Sequence, residues 1–248
     1  MKKQGVLREL QRNGQHLFDS LFPPRCAGCA RSGTVLCSSC IAQFKTVEPS
    51  HCQLCGRALL EGDLLCTKCH GRHSRPAGLN GLCVFSSYEE PMRSCIHALK
   101  YHGNLRLAEP LGALLGQTFG RYGLQADAII PVPLHRDRQQ QRGYNHAQLL
   151  AQVCSTLVRV PFHEHMLVRH RATLPQVGLS ARDRYLNIAG AFLCAPAYAT
   201  GALSGRSIVI IDDVSTTGAT LKECAAPLFA AGAKEVRGLV LARLTQLL

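Results

Sequence analysis

The stretch that decides the fold is Ser207-Ile208-Val209-Ile210-Ile211-Asp212-Asp213-Val214-Ser215-Thr216-Thr217-Gly218-Ala219-Thr220. It begins with an apolar, β-branched run, which is typical of a strand buried on both faces of a parallel sheet. Two carboxylates follow where this strand is expected to emerge, and small and hydroxylic residues then lead through Gly218 into a helix. Ligands of open α/β sheets bind at the carboxyl ends of strands, beside loops of this kind. The stretch therefore predicts a ligand site at one edge of a parallel sheet.

The residues after the acid pair have the chemistry of a phosphate-binding loop. Hydroxyl groups, backbone N–H groups and the positive end of a helix dipole suit a phosphate, and carboxylates accept hydrogen bonds from sugar hydroxyls. An apolar strand ending in two acids also occurs in P-loop ATPases, but the G-x-x-x-x-G-K-[ST] loop that they require is absent from the sequence. The plain alternative is a buried strand followed by an ordinary capped helix. The acid pair and the hydroxyl run favour a site for a phosphorylated sugar.

The whole stretch resembles the phosphoribosyl pyrophosphate (PRPP) motif of type I phosphoribosyltransferases. The resemblance implies that Asp212 and Asp213 hold the ribose 2′- and 3′-hydroxyls and that the loop after them holds the 5′-phosphate. The residues that it places in PRPP binding are Asp212, Asp213, Val214, Ser215, Thr216, Thr217, Gly218, Ala219 and Thr220.

A second signal is a near-repeat of four C-x-x-C pairs in the first third of the chain. The pairs are Cys26 with Cys29, Cys37 with Cys40, Cys52 with Cys55, and Cys66 with Cys69. Two such pairs complete the tetrahedron of thiolates that zinc prefers, so the spacing predicts two structural zinc ions. Sequential pairing keeps each site local and is preferred, but an interleaved arrangement (first pair with third, second with fourth) satisfies zinc equally well. Eight cysteines for two ions leave no open coordination position for a catalytic zinc.

Composition sets the broad class of the protein. The chain has 248 residues, of which 46% are hydrophobic and 18% charged, and a formal net charge of +12. This length allows a sizeable core, and the basic balance suits phosphate-rich ligands and permits nucleic-acid association. No secretory signal is recognisable, and no run approaches the roughly 18 apolar residues that span a bilayer, so membrane insertion is not expected. The 13 cysteines are expected in a reducing cytoplasm as metal ligands rather than disulfides.

From about residue 80 onwards, strand and helix patterns alternate. Strands are predicted at 82–88, 126–132, 207–211 and 235–242, and helices at 91–101, 105–122, 146–159 and 218–231. Pro227 is expected to kink or shorten the last helix. The alternation predicts an α/β fold with a parallel, doubly wound sheet and helices on both faces.

The same pass along the chain divides it into three parts. Residues 5–22 have roughly helical apolar spacing, and 71–81 read as a linker rich in Gly, Pro and polar groups. We therefore expect an N-terminal helical segment at 1–23, a small cysteine-rich double zinc ribbon at 24–75 and an α/β domain at 80–248.

The segment between residues 135 and 184 contains many arginines and no lysine. They are Arg136, Arg138, Arg142, Arg159, Arg169, Arg171, Arg182 and Arg184. The planar guanidinium fork binds phosphate through two parallel hydrogen bonds, so the segment predicts recognition of pyrophosphate. The alternative is a solvated basic face, which would normally mix Lys with Arg.

Several further blocks, taken in order, resemble the ComF family. They are His97-Ala98-Leu99-Lys100-Tyr101-His102-Gly103, Pro131-Val132-Pro133, Arg142-Gly143-Tyr144-Asn145, and the spaced set Arg171, Thr173, Gln176, Leu179, Arg182, Asn187 and Phe192. The match runs from about Cys26 to Arg243, with one departure at His146, where the family usually carries glutamine. That family joins a zinc ribbon region to a type I phosphoribosyltransferase-like domain and includes proteins linked to competence and to the use of DNA as a nutrient.

The ComF resemblance implies an enzyme that binds PRPP with Mg²⁺ and displaces pyrophosphate from C1 of the ribose. It makes Lys100 a catalytic contact beside the acid pair, although a solvated lysine that favours the helix dipole is the alternative. Further residues are implied in PRPP binding, in a mobile loop over the ligand and in a hood over the acceptor. For PRPP binding they are Pro131, Val132, Pro133 and Arg142; for the loop Arg142, Tyr144 and Asn145; for the hood Arg171, Thr173 and Gln176.

Two other functions stay open at this point. One is a PRPP sensor without turnover, and the other is a competence factor that binds single-stranded DNA, with other competence proteins as further partners. The chain has no Trp and only 6% aromatic residues, so platforms for stacking bases are few. No residue identifies the acceptor.

Overall fold

In the computed structural model the described residues are 23–47, 79–173 and 181–244. The predicted helical segment at 1–23 lies outside them except for its last residue. The second half of the predicted ribbon, with Cys52, Cys55, Cys66 and Cys69, and most of the linker at 71–81 also lie outside, as do Gln176 and Leu179.

A four-stranded parallel sheet forms the centre of the α/β domain. Its strands are β1 (Gly81–Ser87), β2 (Ala128–Pro131), β5 (Ser207–Ser215) and β6 (Glu235–Arg243), in the order β1-β6-β5-β2. The register pairs Ile129 with Val209 and Ile211 with Leu239. A separate two-stranded antiparallel sheet consists of β3 (Leu167–Arg169) and β4 (Phe192–Cys194), and it is called the β3–β4 hairpin below although residues 170–191 separate its strands. The strand that carries the deciding stretch is therefore central in the sheet.

Helices pack on both faces of this sheet. The helices of the described residues are α1 (Ser38–Ala42), α2 (Met92–Tyr101), α3 (Ala108–Arg121), α4 (Arg136–Arg142), α5 (His146–Val158), α6 (Ala181–Ile188) and α7 (Ala219–Ala230). Side chains of a strand alternate between faces. Val209 and Ile211 accordingly belong to the apolar core with α2, α3 and α5, whereas Ile208 and Ile210 belong to the core with α7 and the β3–β4 hairpin.

The predicted fold class is confirmed: a parallel α/β sheet with helices on both faces follows a cysteine-rich segment. The helix predicted at 105–122 begins instead with a short 3₁₀ turn, Leu105–Leu107, and continues as α3. The helix with Pro227 ends at Ala230, soon after the proline. Among the described residues, no helix is both long and apolar enough to cross a membrane.

The first half of the cysteine-rich segment packs directly on the α/β domain. The backbone N–H of Val47 donates to the carbonyl of Phe85 at 2.8 Å, and the ring of Phe44 meets that of Phe85 edge to face at 6.0 Å. Gly28 lies so close to Pro91, just before α2, that an added Cβ would come within 2.9 Å of the proline Cβ. The ribbon therefore shares one apolar core with α2 and β1.

Candidate functional site

The two adjacent acids lie on opposite faces of the central strand. The sequence predicts that the strand ends before Asp212, but β5 continues to Ser215, since its end pairs with β6 as far as Arg243. The prediction of the strand end is therefore wrong, because the partner strand β6 extends equally far. Successive residues of a strand point to opposite faces. Asp213 consequently faces α2 and α5, and Asp212 faces α7 and the β3–β4 hairpin.

Asp213 is buried and ion-paired to Lys100. The Lys100 Nζ lies 2.5 Å from Asp213 Oδ2, with only 2% of the carboxylate side chain and 22% of the lysine side chain exposed. Burial alone would raise the pKa of Asp213, but Lys100 and His146 hold it far below its usual range. Burial likewise would lower the pKa of Lys100, but the two aspartates raise it. The pair is therefore fully charged at neutral pH, and Lys100 is not the solvated lysine of the alternative interpretation.

His146 completes the surroundings of Asp213. Its Nε2 lies 3.5 Å from Asp213 Oδ1, and its Nδ1 lies 2.9 Å from Arg142 Nη1. Arginine has only donors, so Nδ1 must accept and the ring proton sits on Nε2, where it faces the carboxylate. Burial lowers the pKa of His146, and the positive charges of Lys100 and Arg142 lower it further against the effect of Asp213. A neutral imidazole thus links Arg142 to the acid.

This tautomer argues against a metal ion held by the protein at the acid pair. The ligand atoms of His146, Asp212 and Asp213 lie within 4.8 Å of one another, a spacing that a metal could bridge. An Nε2 that carries a proton cannot be a metal ligand, however, and Asp213 Oδ2 is already occupied by Lys100. Only Asp212 remains to contact a cation that enters with a ligand.

Asp212 lines a cavity of about 210 Å³ together with Lys100 and the loop that follows the strand. Its Oδ1 accepts a hydrogen bond from the backbone N–H of Asp213 at 2.9 Å. Burial and the neighbouring negative charge of Asp213 raise the pKa of Asp212 to about 8. The two acids therefore differ in state in the free protein at neutral pH: Asp213 is ionised, and Asp212 is largely protonated.

The loop after β5 forms the floor of this cavity. Gly218 has φ +77°, a left-handed conformation that glycine adopts without strain, and α7 begins directly after it. The Thr217 Oγ1 accepts from the N–H of Ala219, the first residue of the helix, at 3.3 Å. The buried Ser215 Oγ meets no hydrogen-bond partner among the described residues. A buried hydroxyl without a partner beside a helix N-terminus has the chemistry of a phosphate site.

The motif Arg142–Asn145 connects three parts of the site. Tyr144 donates its hydroxyl to the carbonyl of Leu99 at 2.5 Å, next to Lys100. Buried Asn145 caps α5 by accepting from Ala147 N–H at 3.1 Å, and its amide donates to the carbonyl of Val132, also at 3.1 Å. These contacts fix the end of α2 and the Pro-Val-Pro turn to the start of α5. Tyr144 and Asn145 therefore have a structural role here, since their side chains bind the backbone of neighbouring segments.

The Pro-Val-Pro turn follows β2 with all three side chains buried; they are Pro131, Val132 and Pro133. The N–H of Val132 donates to Ile211 O at 2.9 Å, so the turn still follows the edge of the central strand. Any contact between these residues and a ligand would be made by the backbone.

The β3–β4 hairpin and α6 stand on the same face as Asp212. Arg169 ends β3, and its guanidinium carbon lies 5.6 Å from the centre of the Phe192 ring. Arg171 donates to the carbonyls of Asn187 at 3.2 Å and Ala189 at 2.6 Å, which closes the end of α6 onto the hairpin. Of the predicted hood residues, Arg171 is thus used in holding the hairpin together.

The first four cysteines converge on one point. The sulfur of Cys26 lies 3.6 Å from that of Cys37 and 3.7 Å from that of Cys40, and Cys29 and Cys37 are 3.7 Å apart. Four thiolates around zinc, at a Zn–S distance of 2.3 Å, stand about 3.8 Å apart, so the cluster fits a zinc ion. The sequential pairing is the one that this half of the ribbon adopts.

The thiols of this cluster have opposite tendencies to ionise in the absence of a metal. Burial would raise the pKa of Cys26, but backbone N–H donors, that of Cys37 above all, lower it to about 6. Burial and the neighbouring sulfurs raise the pKa of Cys40 well above its usual value. Four thiolates can therefore coexist here only around a cation.

The acid pair, Lys100, Arg142 and the loop were predicted as site residues, whereas His146 had no predicted role and Arg169 was predicted only as one of several arginines for pyrophosphate. His146 stood out only as a departure from glutamine, and its burial between Arg142 and Asp213 depends on the packing of α5 against β5. Arg169 was one of many arginines in its segment, and its place opposite Asp212 depends on the hairpin. Neither position could be read from spacing.

Comparison with known proteins gives matches over most of the chain. A model of the double zinc ribbon domain matches residues 17–70. Competence protein F of Haemophilus influenzae is 32% identical over 235 residues, which cover 90% of this chain and 99% of that protein. The DNA utilization protein YhgH of Escherichia coli K12 is 34% identical over 208 residues, covering 82% and 87% of the two chains. Competence protein ComFC of Bacillus subtilis is 27% identical over 75% of this chain and 74% of its own length.

Solved structures resemble the chain more weakly. An allosteric regulatory enzyme of purine biosynthesis has 17% identity and a TM-score of 0.37, over 54% of this chain and 26% of that one. Adenine phosphoribosyltransferase from Leishmania donovani has 15% identity and a TM-score of 0.30, over 60% and 71% of the chains. At these TM-scores nothing about function follows from the likeness.

Proposed function

The chain belongs to the ComF family of competence and DNA-utilisation proteins, and from that premise we propose that its α/β domain binds PRPP with Mg²⁺ and displaces pyrophosphate from C1 of the ribose. The observation that carries the proposal is the cavity between Asp212, Lys100 and the loop Val214–Thr220 at the end of the central strand. It combines a sugar-hydroxyl acceptor, a cation and a phosphate-binding loop within one small space.

The 5′-phosphate would sit on the loop. Ser215 and the hydroxyls of the three threonines that follow offer donors, and the N-terminus of α7 adds favourable dipole charge. The unsatisfied Ser215 Oγ supports this position, since a phosphate oxygen would supply the missing partner. The turn at Gly218 allows the backbone to approach the ligand closely.

The two acids would have different roles. Asp212, which faces the cavity, would accept hydrogen bonds from the ribose hydroxyls. Asp213 faces the other side of the strand and forms the ion pair with Lys100. The ammonium of Lys100 has three donors, and one of them is used by this carboxylate. Lys100 lines the cavity, so its remaining donors can meet the negative charge that develops on the leaving pyrophosphate.

Magnesium fits this site as a companion of the ligand. The ion prefers oxygen ligands and usually keeps waters while it bridges phosphates and one or two carboxylates. Asp212 is the available carboxylate, because Lys100 occupies Asp213. When bound, Mg²⁺ would neutralise charge on the pyrophosphate, and it would also draw the proton off Asp212.

Calorimetric titration with PRPP and Mg²⁺ tests the proposal. Asp212→Asn should weaken binding at least about tenfold, because charge-assisted hydrogen bonds to the ribose are lost. Asp127→Asn is the matched control, since Asp127 lies at the opposite end of the sheet and pairs with Arg206, and it should bind as the wild type does. Equal binding by wild type and Asp212→Asn, with both folded by circular dichroism, would remove the PRPP site.

A sensor without turnover is the second candidate, and the same protein separates it from an enzyme. Release of pyrophosphate in the presence of a panel of bases and amines would show transfer, whereas tight PRPP binding without release would favour the sensor. The two aspartates raise the pKa of Lys100, so this cation beside the cavity would serve either function: it can bind the pyrophosphate group or stabilise it as it leaves.

A further inference from the structure

Two arginines from different elements converge on Thr173. Arg138 of α4 donates from Nη2 to the Thr173 carbonyl at 3.2 Å, and Arg169 of β3 donates from Nη2 to the Thr173 hydroxyl. Arg171, by contrast, donates its hydrogen bonds to backbone carbonyls at the end of α6. Arg138 and Arg169 therefore bring two positive charges to Thr173, and both donate there to a neutral oxygen.

Within the part of the chain that the structure describes, the negative charge that opposes this pair is weak: Asp212 favours the charged form of Arg169, but less than burial and Arg138 disfavour it. Neither Arg138 nor Arg169 has a carboxylate within ion-pair distance there, and the buried Nε of Arg169 has no hydrogen-bond partner among the described residues. Burial lowers the pKa of Arg169, and the charge of Arg138 lowers it further. Two guanidiniums at close range, one of them partly buried, are costly unless an anion joins them.

The position of the pair relative to the donor site suggests which anion this is. Arg169 projects from the hairpin that covers the Asp212 face of the sheet, and it lies over the ring of Phe192. A PRPP whose ribose meets Asp212 would present C1 towards this hairpin. We propose that Arg138 and Arg169 form an anion subsite that receives the acid group, carboxylate or phosphate, of the acceptor; this rests on the donor site proposed above.

The chemistry of the guanidinium fits this role. Its planar fork makes two parallel hydrogen bonds to a carboxylate or phosphate, and the free Nε–H of Arg169 is one of the donors of such a fork. A neutral base would leave both charges uncompensated. The pyrophosphate of PRPP itself is the other possible source of the same chemistry, and the experiment separates the two.

The first arm measures PRPP alone. Calorimetric titration of PRPP and Mg²⁺ into wild type, Arg169→Gln and Arg138→Gln should give dissociation constants within about twofold of one another. Arg206→Gln is the matched control for loss of an arginine, because Arg206 forms an exposed pair with Asp127 at the other end of the sheet. A tenfold loss of PRPP affinity in Arg169→Gln would assign the arginines to pyrophosphate and overturn the proposal.

The second arm compares acceptor probes that differ only in an acid group: orotate with uracil, nicotinate with nicotinamide, and anthranilate with aniline. Binding to wild type is measured by calorimetry with and without saturating PRPP. In at least one pair the acid should bind ten times more tightly or more, and this preference should vanish in Arg169→Gln, persist in part in Arg169→Lys and remain intact in Arg206→Gln. Absence of any preference for the acid in wild type refutes the subsite.

The arm without PRPP keeps the two proposals apart. If PRPP fails to bind but an acid probe still binds in a manner that depends on Arg169, the donor site is wrong and the anion subsite stands. If PRPP binds as expected and no acid probe discriminates, the donor site stands and the subsite is wrong. Melting temperatures of the variants confirm that each of them is folded.

Discussion

The four thiols around Cys26 and the two carboxylates of Asp212 and Asp213 are both clusters of acidic groups, but their counter-charges have different origins. Asp213 meets its cation, Lys100, within the chain. The thiols meet only one another, at 3.6–3.7 Å, with backbone N–H groups as their donors. The cleft can therefore be built before any ligand arrives, whereas the ribbon needs a metal ion to be complete.

We expect the largest loss of stability from a substitution in the cysteine cluster of the ribbon. Cys40→Ser removes one of four thiolates from a site that contributes folding energy through its metal. We expect the zinc content to fall by about one ion per chain and the melting temperature by about 10 °C or more. Metal analysis and thermal unfolding measure the two effects.

Cys154→Ala is the control for loss of a buried cysteine, since Cys154 lies in the core on α5, away from the cluster. It should keep all of the zinc and lose only a few degrees. Full zinc content in Cys40→Ser would contradict the assignment of this residue as a ligand.

The second largest loss of stability is expected when the ion pair between Lys100 and Asp213 is removed. Lys100→Met leaves the Asp213 carboxylate buried without a cation, which costs about 3–5 kcal/mol of unfolding free energy. The deficit should shrink as the pH is lowered from 8 to 5, because Asp213 without Lys100 has a raised pKa, and a raised pKa favours folding when the carboxyl is protonated. Urea unfolding at several pH values measures both.

Two variants make this test specific. Lys45→Met removes a lysine from the exposed pair with Glu89 and should leave the urea midpoint nearly unchanged, since exposed pairs contribute little. Lys100→Met combined with Asp213→Asn should recover much of the lost stability because no unpaired charge remains. A double variant no more stable than Lys100→Met alone would show that the charge pair is not the cause.

A third prediction concerns the difference between the two acids. In the proposed complex only ionised Asp212 would accept hydrogen bonds from both ribose hydroxyls, and burial together with the charge of Asp213 raises its pKa in the free protein to about 8. PRPP affinity measured with Mg²⁺ should therefore rise about fivefold between pH 7 and pH 8 and level off above about pH 9, at about ten times its value at pH 7. Asp213, whose pKa lies far below its usual range, adds nothing in this interval.

The control for this pH dependence is Asp212→Asn, which cannot ionise at this position. Its weaker binding should be flat from pH 7 to pH 9, because the 5′-phosphate is almost fully ionised above its second pKa of about 6. A wild-type affinity that is independent of pH over this range would mean that Asp212 is already ionised in the free protein.

The central strand and its loop could be predicted because their signals are local. An apolar β-branched run, two acids, hydroxyls and Gly218 occur within one stretch, and each of these has a conformational or chemical meaning by itself. The C-x-x-C pairs are equally local. The residues alone allowed both sequential and interleaved pairing, and the first two pairs lie together in one cluster, as the preferred sequential arrangement expects. The burial of Lys100 could not be read in this way, since a lysine near a helix end is usually solvated and only the packing of α2 on β5 decides otherwise.

The division of the acids between two faces was missed for a related reason. Where a strand ends depends on how far its neighbour extends, and β6 reaches Arg243 opposite Ser215. A sequence pattern for one strand does not contain the length of another. The strands of the β3–β4 hairpin have three residues each, which is too short to give a periodic signal. Because Arg169 lies on β3, its position could not be predicted either.

The smallest effect is expected for substitutions of His146, whose ring lies between Asp213 and Arg142. A side chain at this position must donate to Asp213 and accept from Arg142. Glutamine can do both through its amide, so His146→Gln should keep stability and PRPP affinity within about twofold of wild type. His146→Leu can do neither and should lose about 1–3 kcal/mol of unfolding free energy, because two buried polar groups lose a partner. Urea unfolding and PRPP titration compare the two variants, and nuclear magnetic resonance should find His146 neutral between pH 6 and pH 8, since burial lowers its pKa. If glutamine destabilised the protein as much as leucine does, or if the ring titrated in that range, the imidazole would not be the neutral link that the geometry requires.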